Sequence, residues 1–397
     1  MRQPSSQAID LGARHASEFL LDPSIAFLNH GSFGACPRPV MVARAALLEE
    51  LEREPVQFFE GLDARLDEVR AVIGPLLGAD PRGLAFVPNA TAGVNAVLRS
   101  LPLREGDELL VTDHEYQACR NALDYVARER GARVVVVPVP FPIASGALVV
   151  ERLVAAVTPR TRLALVDHVT SPTGLVLPIA DIVRELEGRG VRVLVDGAHA
   201  PGMVPLSLDS LGASYFTGNF HKWLCAPKGA ALLFVREDLR REVRPLALSH
   251  GATVFDEARG RFLTEFDWPG TYDPTPVLAL PAAVRFLEGW GEGGIAGLAR
   301  RNHALVLRGR DILCDALGVE PPAPDDLLGT LAAVPLPHGP AHELHARLFA
   351  EHRVEVPVPP WPAPPARLVR VSAQMYNHEA EYEQLARALR VLLPALG

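Results

Sequence analysis

From Leu84 onward short apolar runs alternate with helical stretches, and this alternation constrains the fold more than any other feature of the chain. LAFVP is followed by AGVNAVLRSL, ELLVT by a helix through ALDYVARER, RVVVVPV by ERLVAAV and RLALVDH by IADIVRELEGRG; VRVLVD then leads on to GAALLFV. Strands that are apolar at every position are covered on both faces, and the helices between them are the crossovers that parallel pairing needs. The pattern predicts an α/β layer with a mostly parallel sheet between helices. Ligands in that architecture gather beyond the carboxyl ends of the strands. Polar residues follow strands directly at Asn89–Thr91, Asp113–Tyr116, His168–Ser171 and Asp196–His199.

The flanking sequence is organised differently. At 397 residues the chain exceeds one simple core, and it divides into an N-terminal arm (1–30), a large α/β domain (31–276) and a smaller C-terminal α+β domain (277–397). The arm is polar with a short helix, and IAFLNHGSFGACPRPV breaks an apolar run into a glycine-rich turn. Val40 to Leu77 has helical spacing interrupted at Pro55, which predicts two helices. A long helical region from Val277 to about Leu317 is broken by GWGEGGIAG, proline-dense loops lie at 319–326 and 356–366, and LLGTLAAVPL and RLVRVSA read as strands.

Composition excludes several classes of partner. The formal charge is −8 and there is no Lys/Arg run, so neither nucleic acid nor a membrane surface is expected. No apolar run has membrane-spanning length and the N-terminus lacks an apolar signal core, which predicts a soluble cytoplasmic protein with a small-molecule partner. Cys36, Cys119, Cys225 and Cys314 are scattered, the pattern of buried reduced thiols.

Only two lysines occur, Lys222 and Lys228, among 39 basic residues. Lysine is irreplaceable by arginine where a desolvated amine must lose its proton and attack a carbonyl. Lys228, between Pro227 and Gly229, reads as an exposed turn residue. Lys222 follows His221 and stands a short way after Asp196, an acid at the end of a strand-like run. Together they are what a pyridoxal phosphate site requires: the acid keeps the ring nitrogen protonated and the lysine holds the aldehyde as an imine.

Further residues join that pair. Asn89, Ala90 and Thr91 lie at a strand-to-helix junction, where free N–H groups and the helix dipole hold a phosphate, although Thr91 alone reads as an ordinary N-cap. His114 and Tyr116 begin the next helix, where a flat side chain stacks on a flat ring. His199 suits the cofactor's phenolate oxygen, His221 suits proton relay or plain packing, and Arg370 leaves a late strand with the guanidinium that grips an α-carboxylate. Other chemistries lack their motifs: there is no G-x-S-x-G and no Walker sequence, and GEGGIAG follows a helix. His338, His342, His345 and His352 form a solvated helix face, so no metal is expected.

The motifs AFVPNATAGVN, LVDGAHAPG, TGNFHKW, WPGTYDPT and RVSAQMYN resemble class V, fold-type I pyridoxal phosphate enzymes over nearly the whole chain. LNHGSFG, VTDHEY and HVTSPTGLVLPI are most similar to the isopenicillin N epimerase branch, which sulfoxide C–S lyases also resemble. The resemblance implies Lys222 as the imine-forming lysine and proton shuttle, Asp196 on the pyridine nitrogen and His199 near the phenolate oxygen. It implies phosphate binding by Thr91 and Asn219, with Thr271 reaching the neighbouring subunit's phosphate across a homodimer. Two ring stackers follow, His114 by analogy with desulfurases and Tyr116 by preference within this branch. Ser171 occupies a loop position usually held by Asn, and Arg370, with Asn29, would take the substrate. The desulfurases' persulfide cysteine has no counterpart in HRVEVPVPPWP. The implied activity is removal of a Cα proton from an amino-acid-like substrate by Lys222. It leads to epimerisation with Tyr116 or His30 as second donor, to C–S elimination, or to transamination; a silent binding protein on the same fold is the rival.

Overall fold

The structure, a computed structural model, describes residues 15–253, 256–291 and 293–396. The first part of the expected N-terminal arm, residues 1–14, lies outside the described residues. The chain enters with β1 (Ala26–Phe27), and seven strands then build one sheet: β2 (Leu84–Val87), β3 (Glu108–Thr112), β4 (Arg133–Val137), β5 (Thr161–Asp167), β6 (Arg192–Asp196), β7 (Tyr215–Asn219) and β8 (Ala231–Val235). Their order is β2-β8-β7-β6-β5-β3-β4. Only the pairings of β8 with β7 and β2 are antiparallel, so β8 alone is reversed and the other six strands point the same way. Their carboxyl ends lie along one edge.

Alternation along each strand divides the core. Ala164, Val166, Val193 and Val195 face one layer of helices, and Leu163, Leu165 and Leu194 face the other. The amphipathic helices Ala147–Ala155 and Ile179–Glu187 cover the first face through Leu153, Ile182 and Leu186; Ala90–Ser100 and Gln117–Arg130 cover the second through Val97, Leu123 and Val126. The helix Ala90–Ser100 sits close to β7 because Gly93 leaves room: a Cβ there would overlap the Thr217 hydroxyl.

The remaining strands are β9 (Leu331–Leu336), β10 (Val354–Glu355) and β11 (Arg367–Ser372), with β9 and β11 antiparallel. The helices Gly294–Leu317 and Glu379–Leu392 pack beside them. β1 pairs in parallel with β10, and Leu28 continues the contact by receiving the Ser372 amide, so the end of the expected arm is woven into the C-terminal strands.

Two helical expectations change. The helical stretch does break at Pro55, which opens the next helix since its missing N–H costs nothing at a first turn, and a second break at Gly61 gives three segments instead of two: Arg38–Arg53, Pro55–Glu60 and Leu62–Leu77. The region after Val277 is likewise three helices, Thr275–Leu278, Leu280–Glu288 and Gly294–Leu317. Among the described residues no helix is long and apolar enough to cross a membrane.

Candidate active site

A cavity of about 390 Å³ opens at the carboxyl edge of the sheet. One end is the start of the helix Ala90–Ser100. Its cap is Asn89, whose Oδ1 accepts from the Ala92 amide at 2.9 Å, so Thr91 is the second helical residue and not the N-cap. Asn219, at the end of β7, accepts from the Ala90 amide at 2.9 Å and ties that strand to the helix. Ala90, Thr91 and Asn219 all line the cavity, where first-turn N–H groups and the helix dipole favour an anion.

The floor is acidic. Asp167 and Asp196 end neighbouring strands in register and both line the cavity. Asp196 accepts from the Ala198 amide at 2.9 Å and from the Cys119 thiol at 3.1 Å. Glu115 is buried behind them; neither of its oxygens, nor Asp167 Oδ2, has a hydrogen-bond partner. Burial first, and then the adjacent carboxylates, hold Glu115 and Asp167 well above the usual carboxylate range. These two acids stay protonated and Asp196 is spared two like charges.

Lys222 reaches in from the opposite side, with Nζ 3.1 Å from His199 Nε2. Trp223 Nε1 donates to His199 Nδ1 at 3.4 Å, which puts the imidazole proton on Nε2 and aims it at the lysine nitrogen. His199 is neutral, since burial and then the Lys222 charge hold its pKa well below the ordinary range. Burial, reinforced by the Arg370 charge and opposed by Asp196, lowers Lys222 from 10.5 to about 8. The amine is therefore poised near neutrality, able to act as nucleophile or base. His221 lines the same wall, with Nδ1 unpartnered and burial lowering its pKa to about 4.

Arg370 is buried beyond the mouth. Nη1 donates to the carbonyl and, at 3.3 Å, to the hydroxyl of Ser171, and Nη2 to the Ser32 hydroxyl at 3.2 Å; both serines line the cavity. Nε has no partner. Burial lowers its pKa to about 10, and it remains a cation at neutral pH.

Several residues singled out in the sequence stand elsewhere. His30 is fully buried beneath the site: Nε2 donates to the Lys222 carbonyl at 2.9 Å and Nδ1 accepts from Tyr376 at 2.7 Å. With both nitrogens committed, and burial lowering its pKa to about 3, it fastens the lysine's backbone and is not placed to give a proton within the cavity. The close fit depends on Gly34 (φ +68°), where a Cβ would overlap the His221 carbonyl. His114 is also no cavity residue. Nε2 donates to the Val139 carbonyl, Nδ1 accepts from Thr173, and the ring meets Trp361 edge to face at 4.3 Å. Tyr116, two residues on, does line the cavity and is half exposed. Asn29 lines an adjacent cavity, and Thr271 is exposed outside this one.

Sequence reasoning missed Ser32, Phe33 and Asp167 in the lining and Cys119 beneath it. Asp167 carried a usable signal, since RLALVD ends as VRVLVD does; Phe33 and Cys119 carried none. The assembled donors fit pyridoxal phosphate. A single cavity holds an amine with lowered pKa for the aldehyde, a carboxylate for the ring nitrogen and a capped helix start for the phosphate.

The family model described as aminotransferase class-V matches residues 50–385. Isopenicillin N epimerase of Amycolatopsis lactamdurans is 39% identical over 388 residues, covering 94% of this chain and 96% of that protein. Its counterpart in Streptomyces clavuligerus is 35% identical, with the same shares of the two chains covered. Among solved structures, a cysteine desulfurase from Thermococcus onnurineus superposes with a TM-score of 0.80 at 19% identity over 100% of both chains, a likeness of fold.

Proposed function

Because this chain belongs to the class V aminotransferase family, of fold-type I, we propose that it is a pyridoxal phosphate enzyme working at Cα of an amino-acid-like substrate, epimerase-like in its reaction. The observation that carries this is the neutral-tuned amine of Lys222 facing Asp196 across one cavity, with Arg370 held just beyond it. Bound pyridoxal phosphate supplies the electron sink that makes a Cα proton removable. The chain's own residues supply the rest.

Arg370 takes the substrate carboxylate and orients Cα. Lys222 Nζ accepts the Cα proton, and His199, with Nε2 3.1 Å away, holds that nitrogen in place. Glu115 and Asp167 stay neutral, and Asp196, which accepts from the Ala198 amide and the Cys119 thiol, is the acid offered to the ring nitrogen. Inversion needs a second donor, and with His30 committed elsewhere the Tyr116 hydroxyl on the cavity wall takes that role. A substrate with a sulfur leaving group at Cβ would be cleaved by the same lysine, which keeps C–S lysis as the second reading.

The reading includes a cytoplasmic homodimer in which exposed Thr271 completes the partner's phosphate site, and a boundary between large and small domains near 276. The experiment that tests it is absorbance of the purified protein before and after borohydride, with mass analysis of the Lys222 peptide, followed by deuterium exchange and chirality analysis on amino acids. A reducible band at Lys222 with exchange and inversion is expected; no band after adding pyridoxal phosphate overturns the reading.

A further inference from the structure

A cavity of about 610 Å³ lies apart from the active site and shares no lining residue with it. Four segments build it: the end of the helix Leu62–Leu77, the loop from Gly202 to Leu206 after β6, the first turns of the helix Gly294–Leu317, and Leu328 with Gly329 before β9. The cavity therefore sits where the part of the chain that carries the large sheet meets the C-terminal part.

Its walls are apolar, with Leu76, Leu77, Met203, Val204, Ile295 and Leu328 among the lining residues. The ionisable groups that join them are Glu288, Arg300 and His303. A Cβ on Gly294 would overlap the Glu288 carboxylate, so this acid stands over the first residue of a long helix and faces the positive end of its dipole. His303 Nδ1 donates to the Gly329 carbonyl at 2.9 Å, which fixes the ring at the cavity's edge. Arg300, three residues earlier on the same helix face, forms no ion pair among the described residues. It is the charge left over for a ligand.

Met203 connects this cavity to the first. It packs in one small cluster with Val169, Trp223 and Leu331, and Val169 lines the active-site cavity. Gly329 permits the close fit, since a Cβ there would overlap the Met203 Sδ. Trp223 Nε1 donates to His199 Nδ1 at 3.4 Å, and His199 Nε2 lies 3.1 Å from Lys222 Nζ. A thioether repacks readily when a neighbour presses on it, so a molecule seated on Met203 acts on the ring that holds the lysine nitrogen. The volume lies within the roughly 300–1,000 Å³ of pockets that bury a sizeable ligand. We propose that this cavity is a separate binding site for a fatty-acid-like monocarboxylate, its chain on the apolar walls and its carboxylate at Arg300, and that occupancy is transmitted to Lys222 through Met203, Trp223 and His199. The site goes beyond the reading of the first cavity and stands without it; only the transmission to Lys222 draws on that reading.

The test titrates the holoenzyme with decanoate and with decyltrimethylammonium by calorimetry, and follows the pH midpoint of the Lys222 imine band with and without decanoate. Decanoate should bind once per chain and at least about fivefold more tightly than the cation, the scale of one partly exposed charge contact. Arg300→Gln, a change at an exposed position, should erase that preference, and Ala299→Trp, which fills the cavity, should abolish binding. Decanoate should move the midpoint by about 0.3 unit or more, a twofold change in ionised fraction. Gly329→Ala, which presses on Met203 as a ligand would, should move it in the same direction without decanoate, and Trp223→Phe should bind decanoate with no shift. Absence of saturable binding, or binding that survives both Arg300→Gln and Ala299→Trp, would overturn the site. Binding lost in Arg370→Gln and kept in Arg300→Gln would place the carboxylate in the active site and overturn it equally, and binding with no movement of the midpoint would overturn the transmission. Decanoate bound by a protein that shows no imine band after pyridoxal phosphate is added would overturn the reading of the first cavity and leave this site standing.

Discussion

The two walls of the site are built in opposite ways. Asn89–Thr91, Tyr116, Asp167, Asp196 and Asn219 stand at or just beyond the carboxyl ends of β2, β3, β5, β6 and β7, each placed by the strand before it. Phe33, Asn29, Glu355 and Arg370 come from the two extremes of the chain and meet because β1 pairs with β10 and Ser372 bonds Leu28. The first wall holds the groups that any amino-acid substrate of this chemistry needs. The second holds Arg370, which on the proposed reading takes the carboxylate common to such substrates, beside the residues of the adjacent cavity. On the proposed reading, the ring- and phosphate-facing groups sit on the part that the sheet makes rigid, and the carboxylate grip on segments whose placement is long-range and whose surface changes without disturbing the sheet.

The strongest way to break this division is at Lys222. Lys222→Ala removes the only amine in the cavity lining, and Cα deuterium exchange should fall by about a thousandfold or more for every substrate. The borohydride-reducible band should vanish with it. A variant that kept exchange would place the chemistry on the wrong wall.

Arg370 joins the two walls, and its removal should give the next largest effect. Arg370→Gln should raise KM for α-amino acids by roughly a hundredfold, the scale of losing one partner of a buried charge pair. It should also move Lys222. Nucleophilic attack on added pyridoxal phosphate needs neutral Nζ, so with the amine lowered to about 8 the association rate of the apoprotein should rise about tenfold per pH unit below that value and level off above it. The Arg370 charge contributes to that lowering, so Arg370→Gln should shift the midpoint upward. Stopped-flow absorbance across pH reads both; a midpoint that stayed put would detach Arg370 from the amine's tuning.

The same division explains what was legible in the sequence. Alternation from Leu84 to Val235 reports strands and crossovers directly, and an acid or amide at a strand's end inherits its position, which is why Asp196 and the Asn89–Thr91 junction could be singled out from residues alone, whereas Asn219 entered only through the family resemblance. The reversal of β8 left no mark, because GAALLFV is buried on both faces whichever way it runs. Nor did β1, two residues long and paired with residues more than three hundred positions away. Pairing across such a distance has no periodicity to betray it. His30 was misjudged for a related reason: the turn LNHGSFG announces a close approach, but only the packing of Tyr376 and the Lys222 carbonyl against the ring decides that it faces away from the cavity.

The smallest effects belong to His114 and Tyr116, neighbours in sequence that divide between structure and site. His114 holds the Val139 carbonyl and the Thr173 hydroxyl and meets Trp361, so it fixes the proline-rich loop to the segment after β3. His114→Ala removes the side-chain partner of the Val139 carbonyl and leaves the Thr173 hydroxyl only its bond to Thr170, and should cost about 1–3 kcal/mol of stability in denaturant unfolding of the apoprotein, with little change in cofactor affinity per folded molecule. Tyr116 is half exposed and makes no comparable buried bonds, so Tyr116→Ala should leave unfolding nearly unchanged. It should instead weaken cofactor retention several-fold, in keeping with the roughly 0.5–1.5 kcal/mol of an aromatic contact, while Tyr116→Phe keeps the ring and should lose inversion before it loses exchange. Unfolding curves beside cofactor dissociation constants separate the pair. If His114→Ala released cofactor and Tyr116→Ala did not, the ring stacker would be the buried histidine after all, reached only when the loop around Trp361 rearranges.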